Sequence, residues 1–197
     1  MDYDILKAIT DFAASHDGFR HAMTGYVKAS EVLFAGLILL LFFAVGRHGE
    51  PWARRAAVAG ALSSQVALVI AQTLSHAIDR ERPYLEHPGA NVFVGRADDP
   101  SFPSVYATAA FSIALAIRLR NRAWGNMALV LAGLLSFARV AVGSEYPSDV
   151  LGGALLGAGC ALLLAIPGTR RLVDKTADLL SALWERVTGG ALTPASR

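Results

Sequence analysis

Charged residues are scarce in this chain. Asp, Glu, Lys and Arg make up 17% of its 197 residues, against about a quarter in typical soluble domains. Hydrophobic residues make up 54%, and the mean hydropathy is +0.43. This balance excludes an ordinary soluble enzyme and predicts a small integral membrane protein of one domain.

Cysteine is nearly absent, and no cleavable leader is predicted. The one cysteine, Cys160, lies in an apolar run, so no intramolecular disulfide can form. Residues 1–28 are polar and mixed in charge, unlike a signal peptide, so the first spanning helix is expected to direct insertion. The net charge of +2 comes from arginines scattered beside apolar runs, and no nucleic-acid partner is expected.

The chain contains several long apolar runs. Five of them approach the length of a membrane-crossing helix; they cover about residues 29–46, 52–76, 103–119, 123–142 and 148–167. Their pattern predicts an all-α integral membrane helical bundle with about five transmembrane helices.

Amphipathic segments are expected at both ends of the chain. Residues 3–20 place apolar side chains on one face, which is typical of a helix lying at the membrane surface, and residues 169–188 repeat the pattern. We therefore divide the chain into an interfacial helix (1–28), a membrane domain (29–168) and a cytoplasmic amphipathic tail (169–197).

Basic residues predict the orientation of the bundle. Three basic segments alternate with two polar loops, 77–102 and 143–147. The positive-inside rule places the basic segments in the cytoplasm and both polar loops on the extracytoplasmic side of an inner or plasma membrane. The basic residues are Arg47, Arg54, Arg55, Arg118, Arg120, Arg122, Arg170, Arg171 and Lys175.

The second polar loop carries a concentrated group of charges. Arg139 is followed by Glu145 and Asp149, four residues apart, between two apolar runs. Charges next to membrane-length segments are costly, so a functional site is the first interpretation. Pro147 suits the first turn of a helix, which places Asp149 near its positive end. The alternative is a short polar loop that only reverses the chain.

A phosphate cradle is predicted from three residues in different segments: Arg82, Ser104 and Arg139. Guanidinium groups bind two phosphate oxygens at once, and a serine at a helix start adds a hydroxyl beside free backbone N–H groups. The alternative is that Arg82 and Arg139 only neutralise Glu145 and Asp149.

These segments resemble the type-2 phosphatidic acid phosphatase superfamily, which includes undecaprenyl-diphosphate phosphatases. The family carries Lys, six residues, then Arg-Pro; later Pro-Ser-Gly-His; later Arg, five residues, His, three residues, Asp. Arg82-Pro83, Pro103-Ser104, Arg139 and Asp149 match these motifs in order and spacing. The resemblance covers about residues 30–167, and the three motifs together are specific where each alone is weak.

Three positions depart from the family pattern. Ser75 stands at the lysine, Val105-Tyr106 at the Gly-His pair, and Glu145 at the third-motif histidine. The resemblance implies that this last histidine attacks phosphorus, that the aspartate orients it, and that the second-motif histidine protonates the leaving group. Both imidazoles are therefore replaced, while the phosphate-holding residues remain.

The predicted catalytic residues are accordingly Glu145, Asp149 and Tyr106. A glutamate can attack phosphorus or activate water, whereas a tyrosine, with a reference pKa of about 10, is a weak acid at neutral pH. The resemblance implies action on a polyprenyl or other lipid (di)phosphate. The alternative is a catalytically inactive protein that binds or transports such a lipid or supports a partner.

No cofactor and no metal are predicted. His87, Asp98 and Asp99 could suggest a metal, but their spacing fits no strong pattern. Small residues such as Gly153 and Gly157 permit close helix contacts within or between chains, so a homo- or hetero-oligomer stays open.

Overall fold

The computed structural model describes residues 1–46 and 50–188, and these residues fold as an all-helical bundle. A π-helical segment, Leu40–Val45, extends the second helix. The α-helices are α1 Asp2–Ser15, α2 Asp17–Leu39, α3 Pro51–Ile78, α4 Pro83–Glu86, α5 Val105–Arg118, α6 Arg122–Ala141, α7 Pro147–Leu164 and α8 Pro167–Val187.

Among the described residues, four helical stretches are long and apolar enough to cross a membrane: Asp17–Val45, Pro51–Glu86, Arg122–Ala141 and Pro147–Leu164. The fifth apolar helix, α5, has only 14 residues, or about 21 Å of length. It lies at the centre and packs against α3, α6 and α7. The all-α, multi-pass membrane bundle is thus confirmed, with α5 as its short central member.

The amphipathic segment expected over residues 3–20 is divided in the structure. α1 ends at Ser15, and α2 begins at Asp17 and runs without interruption into the apolar run. No proline interrupts residues 17–39, so the first spanning helix begins well before residue 29. α1 packs on α6 and α7 and buries Leu6, Thr10 and Ala13.

The C-terminal amphipathic helix docks on the end of the bundle that carries the basic segments. Arg55 Nη2 lies 2.9 Å from Asp178 Oδ2, and Arg120 Nη2 lies 2.8 Å from Asp174 Oδ1. The acidic residues of α8 therefore attach it to the starts of α3 and α6. Residues 189–197 of the expected tail, and Arg47, lie outside the described residues.

Two glycines allow α7 to approach α5 closely. A Cβ atom at Gly157 would overlap the carbonyl oxygen of Thr108, and one at Gly153 would overlap that of Ser104. Both oxygens belong to rigid backbone at the start of α5, so a side chain cannot be accommodated by a rotamer change. These contacts fix the height at which α7 presents its N-terminus to the site.

Gly157→Ala is expected to destabilise the bundle by about 1–3 kcal/mol, since overpacking forces the two backbones apart. Gly159→Ala is the matched control on the same helix, because its Cβ would meet no atom within 4 Å and alanine favours helix by up to about 1 kcal/mol. Unfolding in mixed detergent micelles measures both. Equal effects of the two changes would contradict the close approach.

Candidate functional site

Four helix ends meet at the pole of the bundle opposite α8. Arg82 follows the end of α3, Ser104 precedes α5, Arg139 lies in the last turn of α6, and Glu145 lies in the turn before α7. Because successive spanning helices run in opposite directions, residues more than fifty positions apart are brought to one place. The three predicted segments therefore share one end of the bundle.

A buried ion pair occupies the centre of this region. Arg139 donates from Nη2 and Nε to Glu145 Oε1 at 2.6 and 3.1 Å, and Glu145 is only 1% exposed. Arg82 Nη1 lies 3.8 Å from the same oxygen. The Glu145 carboxylate thus sits between the two guanidinium groups. Its other oxygen, Oε2, is buried and has no hydrogen-bond partner among the described residues.

Arg82 is held mainly by the loop before α5. Its Nε donates to the Asp99 carbonyl oxygen and its Nη2 to Asp99 Oδ2, both at 2.8 Å, while Nη1 donates to the Ser144 carbonyl oxygen at 3.0 Å. The sequence indicated no such role for Asp99, which it raised only as a possible metal ligand. These bonds fix the guanidinium plane toward Glu145.

Asp149 stabilises the start of α7 and has Arg80 as its cationic partner. Its Oδ2 accepts from the Tyr146 backbone N–H at 2.8 Å, and its Oδ1 accepts from Arg80 Nη1 at 2.7 Å. Pro147 occupies the first helical turn, as its position in the sequence suggested. Arg82 and Arg139 were the expected partners of both carboxylates. They lie beside Glu145, whereas Asp149 pairs with Arg80.

Ser104 acts as a helix cap. Its Oγ accepts from the Ala107 N–H at 3.1 Å, and its own N–H donates to the Asp149 carbonyl oxygen at 3.0 Å. It is buried and does not line either cavity described below. The structure thus brings Arg82 and Arg139 together at the smaller cavity, whereas Ser104 lines neither cavity.

Tyr106 lies against the arginine of the ion pair. The Arg139 guanidinium carbon is 4.0 Å from the centre of the Tyr106 ring, a distance at which the ring face attracts a cation. The phenol therefore stands beside Arg139 at the position where the family pattern has a histidine.

Two cavities open on these side chains. The larger, of about 630 Å³, is lined by Arg82, Glu145 and Tyr106 at its polar end. Its other end is apolar and includes Phe34, Leu68, Ala109, Ala110 and Leu135. The smaller cavity, of about 340 Å³, is lined by Arg82, Arg139 and Tyr106. The two cavities therefore share Arg82 and Tyr106. Such a combination of apolar walls and a few convergent polar groups is typical of a ligand site.

His76 also lines the larger cavity. Its Nδ1 lies 2.7 Å from the Gln72 carbonyl oxygen of its own helix. It is the histidine next to Ser75, the position where the family pattern has lysine. No hydrogen bond joins it to Arg82 or Glu145 within the part of the chain that the structure describes.

A second charged network was missed by reasoning from the sequence. Asp2 on α1 accepts from the Ser148 N–H at 3.1 Å and from Arg80 Nη2 at 2.8 Å, and it also bonds the Ser148 hydroxyl. Arg80 in turn lies over the Tyr146 ring at 4.2 Å. Partial burial opposes the ionisation of Asp2, but the bonds from Ser148 and Arg80 outweigh it and hold its pKa below the usual value.

Asp2→Ala is expected to lower the free energy of unfolding by about 1–2 kcal/mol near neutral pH, since it removes a helix-start acceptor and an ion pair. Because the folded protein depresses the pKa of Asp2, its contribution is present at neutral pH and is lost as the pH falls through that lowered pKa. The stability gap between the wild-type protein and Asp2→Ala should therefore close in acid. Asp4→Ala is the control, since Asp4 is exposed and pairs with the N-terminal ammonium group of the neighbouring turn. A gap of the same size for both variants would contradict this role.

Comparisons with known proteins place the chain in a family. A family model described as the PAP2 superfamily matches residues 56–171, well over half of the chain. The chain is 32% identical to the undecaprenyl-diphosphatase BcrC of Bacillus subtilis (strain 168) over 153 residues, which cover 77% of this chain and 76% of that protein. It is 39% identical to YbjG of Escherichia coli (strain K12) over 102 residues, 51% of each chain.

The fold is also that of a solved relative. The transmembrane PAP2-type phosphatidylglycerolphosphate phosphatase from Bacillus subtilis superposes with a TM-score of 0.61 at 22% identity, over 82% of this chain and 83% of that one. At this identity the likeness concerns the fold alone. Sequence, family model and architecture agree, and the chain belongs to the PAP2 superfamily.

Proposed function

We propose that the protein acts on a polyprenyl or other lipid (di)phosphate. The phosphate binds at Arg82 and Arg139, and the lipid chain lies in the apolar part of the larger cavity. The observation that carries this proposal is a carboxylate held 2.6 Å from one guanidinium and 3.8 Å from the other, in the polar lining of that cavity. An anion already occupies the place between the two arginines where a phosphate would bind.

The shape of the larger cavity supports a lipid as the ligand. Apolar residues from α2, α3, α5 and α6 line one end, and charged groups line the other. A long-chain phosphate has the same division between an apolar chain and an anionic head. The chain enters the cavity from the membrane and not from water, so packing against the apolar walls positions it rather than supplying a hydrophobic transfer energy, and the arginines supply charge-assisted hydrogen bonds to the head.

Glu145 is the group placed to carry the chemistry. One of its oxygens is fixed by Arg139, while Oε2 has no hydrogen-bond partner among the described residues. We assign this oxygen the attack on phosphorus or the activation of water, with Tyr106 beside the leaving group. Asp149 holds the turn that carries Glu145 through its bond to the Tyr146 N–H.

A second candidate is binding without hydrolysis, and the Arg139–Glu145 pair favours it. In this arrangement both hydrogen bonds from Arg139 go to Glu145 Oε1, so an incoming phosphate must displace or adjoin a negative charge. A protein of this kind would hold, transport or present the lipid, or support a partner protein.

The deciding experiment measures phosphate release from undecaprenyl diphosphate, farnesyl diphosphate and phosphatidic acid by the purified protein and by Glu145→Gln. Release that falls at least a hundredfold in the variant supports chemistry at Glu145. The matched control is Glu81→Gln, a change of an exposed carboxylate that lines neither cavity. Lipid binding without release by the wild-type protein would favour the second candidate, and neither binding nor release would contradict the proposal.

The positive-inside rule also indicates which side of the membrane the site faces. The site end of the bundle is opposite the end where α8 joins Arg55 and Arg120. With the basic end in the cytoplasm, the site faces the extracytoplasmic side of the inner or plasma membrane. A homo- or hetero-oligomer is compatible with this arrangement.

A further inference from the structure

We propose that His76 is a third cationic group of the headgroup site, and that a lipid phosphate binds there together with a proton taken up by its imidazole. The affinity for the lipid should therefore rise as the pH falls. This inference rests on the proposed function, because the phosphate must first be held by Arg82 and Arg139.

The larger cavity has little positive charge to offer a phosphate, since its lining includes three carboxylates, those of Glu31, Asp99 and Glu145. Arg82 is the one arginine or lysine among the described residues that line it. Arg82 is already bonded to Asp99. Arg139, which lines the smaller cavity, is bonded to Glu145. A phosphate adds further negative charge to this group, so its binding requires another cation or a proton.

His76 is the other residue of this lining that can become a cation. Its Nδ1 lies 2.7 Å from the Gln72 carbonyl oxygen. A carbonyl oxygen only accepts, so Nδ1 carries a proton in both charge states of the ring. In the neutral ring Nε2 is therefore the unprotonated nitrogen, and no hydrogen bond joins it to a described residue. A proton taken up at Nε2 makes the ring a cation and this nitrogen a donor for a phosphate oxygen.

The position of His76 suits a group that exchanges a proton with water. It lies in the last turn of α3, which ends at Ile78, and it is exposed. Cations are accommodated at the carbonyl end of a helix, where the partial charge is negative. Histidine is also the side chain that ordinarily changes charge between about pH 5 and 8. The same residue can therefore be neutral in the free protein and charged in the complex.

Other ionisable groups around the larger cavity are alternative sites for the proton. Asp149 of α7 is not one of them, because it is bonded to Arg80 and lines neither cavity. A carboxylate that becomes protonated would also strengthen anion binding in acid, so only a variant at position 76 identifies His76. The groups that line the larger cavity are Glu31 from α2, Arg82 and Asp99 from the loops before α4 and α5, Tyr106 from α5, and Glu145 from the turn before α7; Lys28 and Arg139 line only the smaller cavity.

The test measures the affinity for dodecyl methyl phosphate, a diester that keeps one negative charge throughout this pH range, unlike a monoester, whose second ionisation falls near pH 6. The wild-type protein is expected to bind it about tenfold more tightly at about pH 5.5 than at about pH 7.5, because protonated His76 adds a charge-assisted hydrogen bond. His76→Gln should bind weakly at both pH values. His76→Lys, which keeps a cation there, should bind tightly at both.

His21→Gln is the matched control, since His21 is exposed and lines neither cavity. It should keep the pH dependence of the wild-type protein. Thermal unfolding of each variant in the same detergent, at both pH values, shows first that it is folded. If one variant at position 76 does not fold, the other still decides, because each is expected to lose the pH dependence.

The outcomes separate this inference from the proposed function. Equal affinity of the wild-type protein at the two pH values, or an unchanged pH dependence in His76→Gln or His76→Lys, overturns the role of His76 and leaves phosphate binding at the arginines intact. Failure of the wild-type protein to bind the ester at either pH overturns the phosphate site, and this inference with it.

Discussion

Arg139→Ala is expected to lower the free energy of unfolding by about 3–5 kcal/mol, because it leaves a buried carboxylate without its main partner. Glu145 is 1% exposed, and its two hydrogen bonds from charged groups both come from Arg139. The next cation, Arg82, is 3.8 Å away and already bonded to Asp99 and Ser144. Unfolding in mixed micelles measures the loss.

A second variant isolates the cause of this destabilisation. Arg139→Ala combined with Glu145→Ala removes both charges, and it should recover a large part of the lost stability. Arg118→Ala is the matched control, since Arg118 is exposed and its side chain bonds Asn126. A loss below about 1 kcal/mol in Arg139→Ala, or no recovery in the double variant, would contradict a buried and mutually dependent pair.

Replacing Glu145 and Tyr106 together by histidine is expected to raise phosphate release from a lipid diphosphate at least tenfold over the wild-type protein. The family pattern has histidine at both positions, one as nucleophile and one as acid, and general acid–base catalysis alone contributes about a hundredfold or more. The change also removes the carboxylate that now lies between Arg82 and Arg139, so the Arg139 guanidinium, which bonds Glu145, becomes available to the phosphate.

The single replacements serve as controls for the double one. Glu145→His alone lacks the acid, and Tyr106→His alone keeps the repelling carboxylate, so each should gain less than the pair. A double variant that is folded and binds the lipid but releases no phosphate would show that these two positions are not sufficient. Ser75→Lys, at the remaining unmatched position, is then the next change to add.

Much of the arrangement could be predicted from the sequence. Apolar runs determine the spanning helices, and the alternation of basic and polar loops places the segments around Arg82 and Arg139 at one end. These features depend on residue type and on spacing along the chain, and both can be read directly from the sequence. The early start of α2 was missed because residues 17–28 are polar, and polarity does not end a helix.

The pairing of the charges could not be predicted in the same way. The sequence placed Asp149 beside Glu145 but did not indicate its partners, which are Arg80 and the Tyr146 N–H. Asp2 reaches Arg80 and Ser148 from a helix at the other end of the sequence. Which carboxylate meets which arginine depends on helix packing at the scale of a few ångströms, and no local pattern encodes it.

The central claim is that Arg82 and Arg139 together hold the headgroup phosphate. The most direct measurement is the affinity of farnesyl phosphate for the wild-type protein and for Arg82→Gln, Arg139→Gln and Arg118→Gln, each first shown to be folded. We predict that each of the first two changes weakens binding at least roughly tenfold, the worth of a charge-assisted hydrogen bond, while Arg118→Gln leaves it unchanged. Equal affinity of all four proteins for farnesyl phosphate would contradict the claim.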